Sequence, residues 1–342
     1  MDLQIIWFFI WGLLWAVFFM TDGFDFGIGT LMPFMGKNDN EKRIMINAMG
    51  PLWDGNEVWL IGAGGVTFAA FPILYATMFS SFYSALLLIL FALILRGVAI
   101  EFRHHIDSSA WRQLWDACIF IGSVTPAVLF GVAFANIFKG IPIDANGIYH
   151  GNLYSLLNFY GLLGGLLFLL LFLEHGALWL AIRTEGDLHE RTSKMANGLW
   201  WILLTVALIF LIASKYETNL YDNYYEKPVL FILVLVNLAA FLQIKYFLMQ
   251  KKYLTAWFSS SLAIVCCTFF GLIGLFPTVF PSSIDPAYSL TAFNSSSSPL
   301  TLKIMLGVAI VFVPIIIAYQ TWAYNLFRDK VTEKTLSSEQ AY

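Results

Sequence analysis

Thr21-Asp22-Gly23-Phe24-Asp25-Phe26-Gly27-Ile28-Gly29 lies at the end of an apolar run that begins at Leu3, and Pro51-Leu52-Trp53-Asp54-Gly55-Asn56-Glu57-Val58-Trp59 opens the next. A carboxylate set among residues of this kind reads as an acid at membrane depth. Held there, it is costly unless it is protonated, paired or hydrated, so its default meaning is functional. Whether these acids move protons, bind a partner or only balance a buried arginine is what the rest of the chain must decide.

The composition agrees with lipid as the solvent. Hydrophobic residues make up 59% and charged residues 12% of the 342, against a charged share of about 25% in soluble domains. Net charge is only -3, which gives no general attraction to nucleic acid. Cys118, Cys266 and Cys267 all sit in apolar stretches without CxxC or metal-type spacing, so they read as buried thiols and no metal site is expected. The amino-terminal run lacks a basic start and a small-residue cleavage site and is too long for a signal peptide. It reads as a retained span.

A bilayer crossing takes about 20 apolar residues, and about nine segments meet that need: 3–32, 57–75, 79–102, 115–138, 153–182, 195–214, 228–249, 255–276 and 302–327. Gly62, Gly64 and Gly65 in the second are expected to let a neighbouring backbone come close. Lys37, Lys42, Arg43, Arg103, Arg112, Arg183, Arg191, Lys194, Lys245, Lys251, Lys252, Arg328, Lys330 and Lys334 fall in alternate connections or the tail. The positive-inside rule makes that side cytoplasmic, with the N-terminus outside and the C-terminus inside. The chain is thus expected to be one polytopic membrane domain over 1–342, with 328–342 as a cytoplasmic tail. Residues 216–227 read as an interfacial aromatic set and 281–299 as an irregular outer loop.

Asp22 and Asp25 are three residues apart and share a helix face near the cytoplasmic end of the first span. The negative helix end, low dielectric and mutual repulsion all oppose two charges there, so one of them is expected to keep its proton near neutral pH, as a relay requires. Pro51 suits a helix start, and Asp54 and Glu57 then occupy opening turns where the dipole favours anions. These two acids could simply satisfy that helix end. Arg96, inside the third span, requires an anion, with Asp25, Asp54 or Glu101 available; it reads as a structural ion pair or a headgroup anchor. Asp116 and the Glu174-His175 pair are expected to extend the same cytoplasmic cluster.

Histidine offers little for haem. His104 and His105 are adjacent and diverge by about 100° on a helix, and with Arg103 they read as a solvated basic end. His150 and His189 lie in loops. Only His175 is near membrane depth, without a facing histidine, so haem ligation by this chain is not expected.

Beyond these readings, Thr21–Gly27, Arg43-Ile44-Met45-Ile46-Asn47 and Trp53-Asp54-Gly55-Asn56-Glu57-Val58-Trp59-Leu60 resemble subunit II of cytochrome bd-type quinol oxidases. So do Trp115-Asp116 with Ile119-Phe120-Ile121-Gly122-Ser123, Gly131-Val132-Ala133-Phe134, Phe280-Pro281-Ser282-Ser283 and Val313-Pro314-Ile315-Ile316. The resemblance implies an all-α integral membrane protein of two four-helix bundles plus one peripheral helix. It also implies a similarly folded subunit I that carries haems b and d and oxidises quinol with oxygen, drawing protons from the cytoplasm. By the same likeness Asp54 matches the family's proton-intake aspartate, Asp25 its buried first-helix aspartate and Arg96 its third-span arginine. Members can hold a structural quinone or add a small accessory subunit, and the connection between spans six and seven is shorter here than in some of them.

The leading expectation is therefore a haem-free subunit that scaffolds the oxidase and supplies protons through Asp54, Asp25, Asp22, Glu57 and Asp116, without redox chemistry or catalytic residues of its own. A proton-coupled secondary transporter is the competing class, with Gly62–Gly65 and Pro314 as candidate helix interruptions. A purely structural membrane subunit, with every acid paired, is the third.

Overall fold

Long apolar runs leave backbone N–H and C=O groups no partners but one another in lipid, and the chain answers with helices. The computed structural model describes residues 2–337. α1 (Leu3–Thr21) and α2 (Gly23–Met35) form nearly one rod, because Asp22 between them keeps helical torsions. There follow α3 (Asp39–Met49), α4 (Trp53–Ala70), α5 (Pro72–Ser81), α6 (Tyr83–Phe102), α7 (Ser109–Lys139), α8 (Leu153–Leu156) and α9 (Phe159–Arg183). Then come α10 (Gly186–Glu217), α11 (Tyr221–Glu226), α12 (Phe231–Met249) and α13 (Tyr253–Leu275). The antiparallel pair β1 (Thr278–Phe280) and β2 (Leu290–Thr291) precedes α14 (Pro299–Leu326).

Among the described residues, eight helices are long and apolar enough to cross a membrane, α1 and α2 counting together. α4 is not one of them, yet its two ends meet opposite ends of α14, so it runs alongside a helix that is. Its start is tied to the far end of α14, where Gln320 Nε2 donates to the Gly55 carbonyl at 2.6 Å. Its end meets the near end of α14, where the Ser297 amide donates to the Ala70 carbonyl at 2.8 Å. The expected second span, 57–75, is therefore corrected: the helix starts at Trp53 and stops at Ala70. Pro72 cannot donate inside a helix and instead starts α5. The fifth span is likewise shorter than 153–182, since Asn152 and Asn158 each cap a separate helix.

The first bundle is α1–α2, α4, α6 and α7, and the second is α9, α10, α12 and α13. The two meet where α9 packs on α2 and α7 and where α13 packs on α1. α14 lies outside them with only Leu302 buried along its length. This is an all-α, multi-pass membrane fold.

The glycines that bring helices together are not the expected ones. Gly62, Gly64 and Gly65 face open space. A Cβ at Gly27 of α2 would instead overlap the Phe172 carbonyl of α9, and one at Gly131 of α7 would overlap the Gly164 carbonyl. Close approach at these points is what seats the bundles against each other.

Two further expectations change. Tyr224 is not interfacial: it is fully buried, and its hydroxyl donates to the Phe270 carbonyl at 2.8 Å. The outer loop is not wholly irregular, since β1 and β2 pair within 278–291. The tail doubles back, with the Val331 amide donating to the Arg183 carbonyl at 2.8 Å and Arg43 donating to the Leu336 carbonyl. The expected tail also includes 338–342, which lie outside the described residues.

Candidate functional site

Three helices of the first bundle converge on one guanidinium. Arg96 of α6 is fully buried, and its Nη2 donates to Asp22 Oδ1 at 2.9 Å and Oδ2 at 3.1 Å. The same nitrogen donates to Glu57 Oε1 of α4 at 2.6 Å. The guanidinium carbon stands 4.3 Å from the centre of the Phe26 ring, a cation–π contact that replaces some lost hydration.

Asp25, one turn beyond Asp22, has a different partner. Asn56 Nδ2 donates to Asp25 Oδ2 at 2.7 Å, and Tyr324 Oη of α14 donates to Asn56 Oδ1, also at 2.7 Å. Asp25 Oδ1 is buried and meets no hydrogen-bond partner among the described residues. Two of Arg96's nitrogens, Nε and Nη1, are in the same condition. Two carboxyl groups thus bond one cation directly, with the third, Asp25, one turn further along.

The expected partners of Arg96 are corrected. Asp25 bonds to Asn56, and Asp54 is exposed with its Oδ1 accepting from the Gly55 amide at 2.7 Å. Glu101 lies five residues past Arg96, about 140° round the helix. It faces outward, lining with Trp53, Glu57 and Gly97 a surface groove of about 510 Å³ between α4 and α6.

Asp116 belongs to a second cluster, at the end of α6 and the start of α7. Arg103 Nε donates to its Oδ1 at 2.6 Å and Lys42 Nζ to its Oδ2 at 2.8 Å, while Arg103 also reaches Asp39 at 2.8 Å. Arg103 is 1% exposed, so of the expected solvated basic end only His105 is exposed, while Arg103 is buried in an ion-pair network that reaches the surface at Asp39. Burial, helped by the charges of Arg103 and Arg43, pushes the adjacent His104 down to about 4. For Asp39 burial acts upward, but the Arg103 hydrogen bond and the charges of Arg103 and Arg112 together outweigh it and hold the carboxyl below the ordinary range.

Glu174 and His175 do not extend either cluster. Glu174 is fully buried, and neither carboxyl oxygen has a hydrogen-bond partner among the described residues. His175 Nδ1 lies 2.9 Å from Ser260 Oγ and its Nε2 3.0 Å from the Met20 carbonyl, with the ring stacked on Trp257. Both ring nitrogens are engaged, so this residue does not fit an iron ligand. Among the described residues no group of three or more His, Cys, Asp or Glu gathers as a metal site.

Asn56, Gln320 and Tyr324 are the residues that sequence reasoning missed. Asn56 stood inside the quoted motif as a spacer between two acids. Gln320 and Tyr324 are more than 260 residues away from their partners, and their visible sign was a polar i, i+4 pair in the polar last turns of a mostly apolar span. Besides meeting Gly55, Gln320 accepts from Trp59 Nε1 at 2.7 Å.

Fold and site together define a polytopic helical membrane protein with an acid-rich, arginine-centred polar core in its first bundle. Residues 3–327 match the family model described as cytochrome bd terminal oxidase subunit II, and the chain belongs to that family. It is 38% identical over 336 residues to the cytochrome bd ubiquinol oxidase subunit 2 of Bacillus subtilis, covering 97% of this chain and 98% of that one. It is 37% identical over 368 residues to the cytochrome bd-I ubiquinol oxidase subunit 2 of Escherichia coli, covering 98% and 96%. The fold is similar to a chain of the bd oxidase from Geobacillus thermodenitrificans, with a TM-score of 0.77 at 16% identity over 96% of this chain and 99% of that one. The protein is thus the second subunit of a respiratory oxidoreductase complex, beside a subunit I and with haem in the complex.

Proposed function

We propose that this chain binds no haem, scaffolds the haem-bearing subunit I, and takes up cytoplasmic protons for the reduction of oxygen to water by quinol. The observation that carries the reading is the Asp22–Arg96–Glu57 cluster with Asp25 beside it. Asp22 is tied down by Arg96 and serves as a fixed counter-charge. Asp25 is held by Asn56 at one oxygen and has no hydrogen-bond partner at the other among the described residues, so it is the group placed to take up and pass on a proton. Glu57 links this interior to the surface groove, with exposed Asp54 in the preceding turn of α4. Asp116, held by both Lys42 and Arg103, fits an ion-pair role better than a relay.

The clustering of Lys and Arg at the α3, α6–α7, α9–α10 and α12–α13 connections supports placing that side in the cytoplasm, with the N-terminus outside. If a structural quinone is held, the space of about 280 Å³ among α7, α9, α10, α12 and α13 suits it. It is lined almost wholly by apolar groups.

The test is Asp54→Asn in the assembled oxidase. Quinol-dependent oxygen uptake is expected to slow while the haem spectrum stays that of the parent. Parent-like turnover would remove Asp54 from the pathway.

A further inference from the structure

We infer that Tyr324, on the peripheral helix α14, is a positioning residue for proton transfer: its hydroxyl fixes the Asn56 amide so that Nδ2 faces Asp25. This rests on Asp25 being the relay group proposed above.

A side-chain amide has two ends of similar size and opposite polarity, and only its partners decide which end points where. The Tyr324 hydroxyl donates to Asn56 Oδ1 at 2.7 Å, which commits the other end, Nδ2, to Asp25 Oδ2 at 2.7 Å. With the amide reversed, two oxygens would face each other in a buried site whenever Asp25 is ionised. The bond to Oδ2 leaves Oδ1 as the Asp25 oxygen without a hydrogen-bond partner among the described residues, so the chain from α14 to α4 to α2 also distinguishes the two oxygens as proton carriers.

The tyrosine ring is held separately from its hydroxyl. It packs edge-on against Phe24 and Trp179, with centroids 6.3 Å and 5.8 Å away. Removing the oxygen alone therefore keeps the packing. One turn earlier, Gln320 clamps the same two helices through Gly55 and Trp59 but does not touch the amide. An otherwise thinly attached helix thus makes two kinds of contact with α4: one that anchors and one that orients.

The experiment uses the complete oxidase with Tyr324→Phe, Asn56→Ala, the double variant, Gln320→Ala and Asp25→Asn. Haem content checks assembly, and quinol-dependent oxygen uptake is read as kcat and KM separately. Tyr324→Phe is expected to lower kcat roughly fivefold, the scale of one neutral hydrogen bond, with the quinol KM unchanged. In the Asn56→Ala background the same change should add nothing, because the hydroxyl then has no amide to orient. Gln320→Ala should keep the parent's kcat.

Independent, multiplying effects of the two variants would overturn the proposal, as would equal losses in Tyr324→Phe and Gln320→Ala. Failure of Tyr324→Phe to assemble while Gln320→Ala assembles would also overturn it, since Tyr324 would then be structural. Parent-like turnover in Asp25→Asn would instead reject the relay reading beneath it.

Discussion

Arg96 lies against the Phe26 ring and donates from one nitrogen to acids on two other helices. Exchanging it for leucine leaves Asp22 fully buried without its cation, a change that costs about 3–5 kcal/mol in comparable buried pairs. Arg96→Leu is therefore expected to lose most of the haem-containing complex on purification, and a parent-like yield would show that Asp22 finds another partner. A pH effect arises in the second cluster. His104 is driven down to about 4 from 6.5, so the unfolded chain takes up that proton first on acidification. The stability contributed by the neutral ring is present above about 6.5 and is lost as pH falls toward about 4. Asp39 acts in the same direction at lower pH. So does Glu41, where burial acts upward but the hydrogen bonds from Arg191 and the Lys37 amide, with the Arg191 charge, together outweigh it and hold the carboxyl low. Thermal stability of the purified complex should fall below about pH 6.5, and less steeply in His104→Gln; identical profiles for the two would contradict this. The acids themselves were legible as residues because charge in an apolar run is conspicuous. Their partners were not, since Arg96 could reach several anions and only the relative rotation of α1, α4 and α6 chooses Asp22 and Glu57.

At the level of elements, the helices were legible where apolar length alone specifies them. α4 was harder: Asp54, Asn56 and Glu57 make its opening turns polar, and Pro72 ends it earlier than its hydropathy suggests. Small residues misled in a similar way. Gly62, Gly64 and Gly65 form a visible motif but meet nothing, whereas Gly27 and Gly131 sit at backbone contacts that depend on which helix lies opposite. Gly27→Val should press on the Phe172 carbonyl and cost about 1–3 kcal/mol, as overpacking does. Gly198→Ala, in α10 with open space around it, should be neutral or stabilising by up to about 1 kcal/mol. Thermal denaturation of both variants decides; equal losses would mean that α2 and α9 are not limited by backbone contact at this point.

For the whole molecule, two bundles sharing an interface and a ninth, outlying helix place the polar core within the first bundle, on the side where most cationic connections lie. The architecture was legible from span count and charge alternation together with family likeness. The link from α14 to the core was not, because it joins residues from opposite ends of the chain. It gives the outer helix a chemical reason to stay docked. The central claim is that Asp25 carries protons from the cytoplasm to the partner's oxygen chemistry. It is tested most directly by reconstituting the oxidase with Asp25→Asn in vesicles and timing proton uptake during a single oxygen turnover. The account predicts normal haem content with uptake slowed on the order of 100-fold, the usual scale for a positioned acid–base group. Uptake and oxygen reduction at the parent's rate would contradict it.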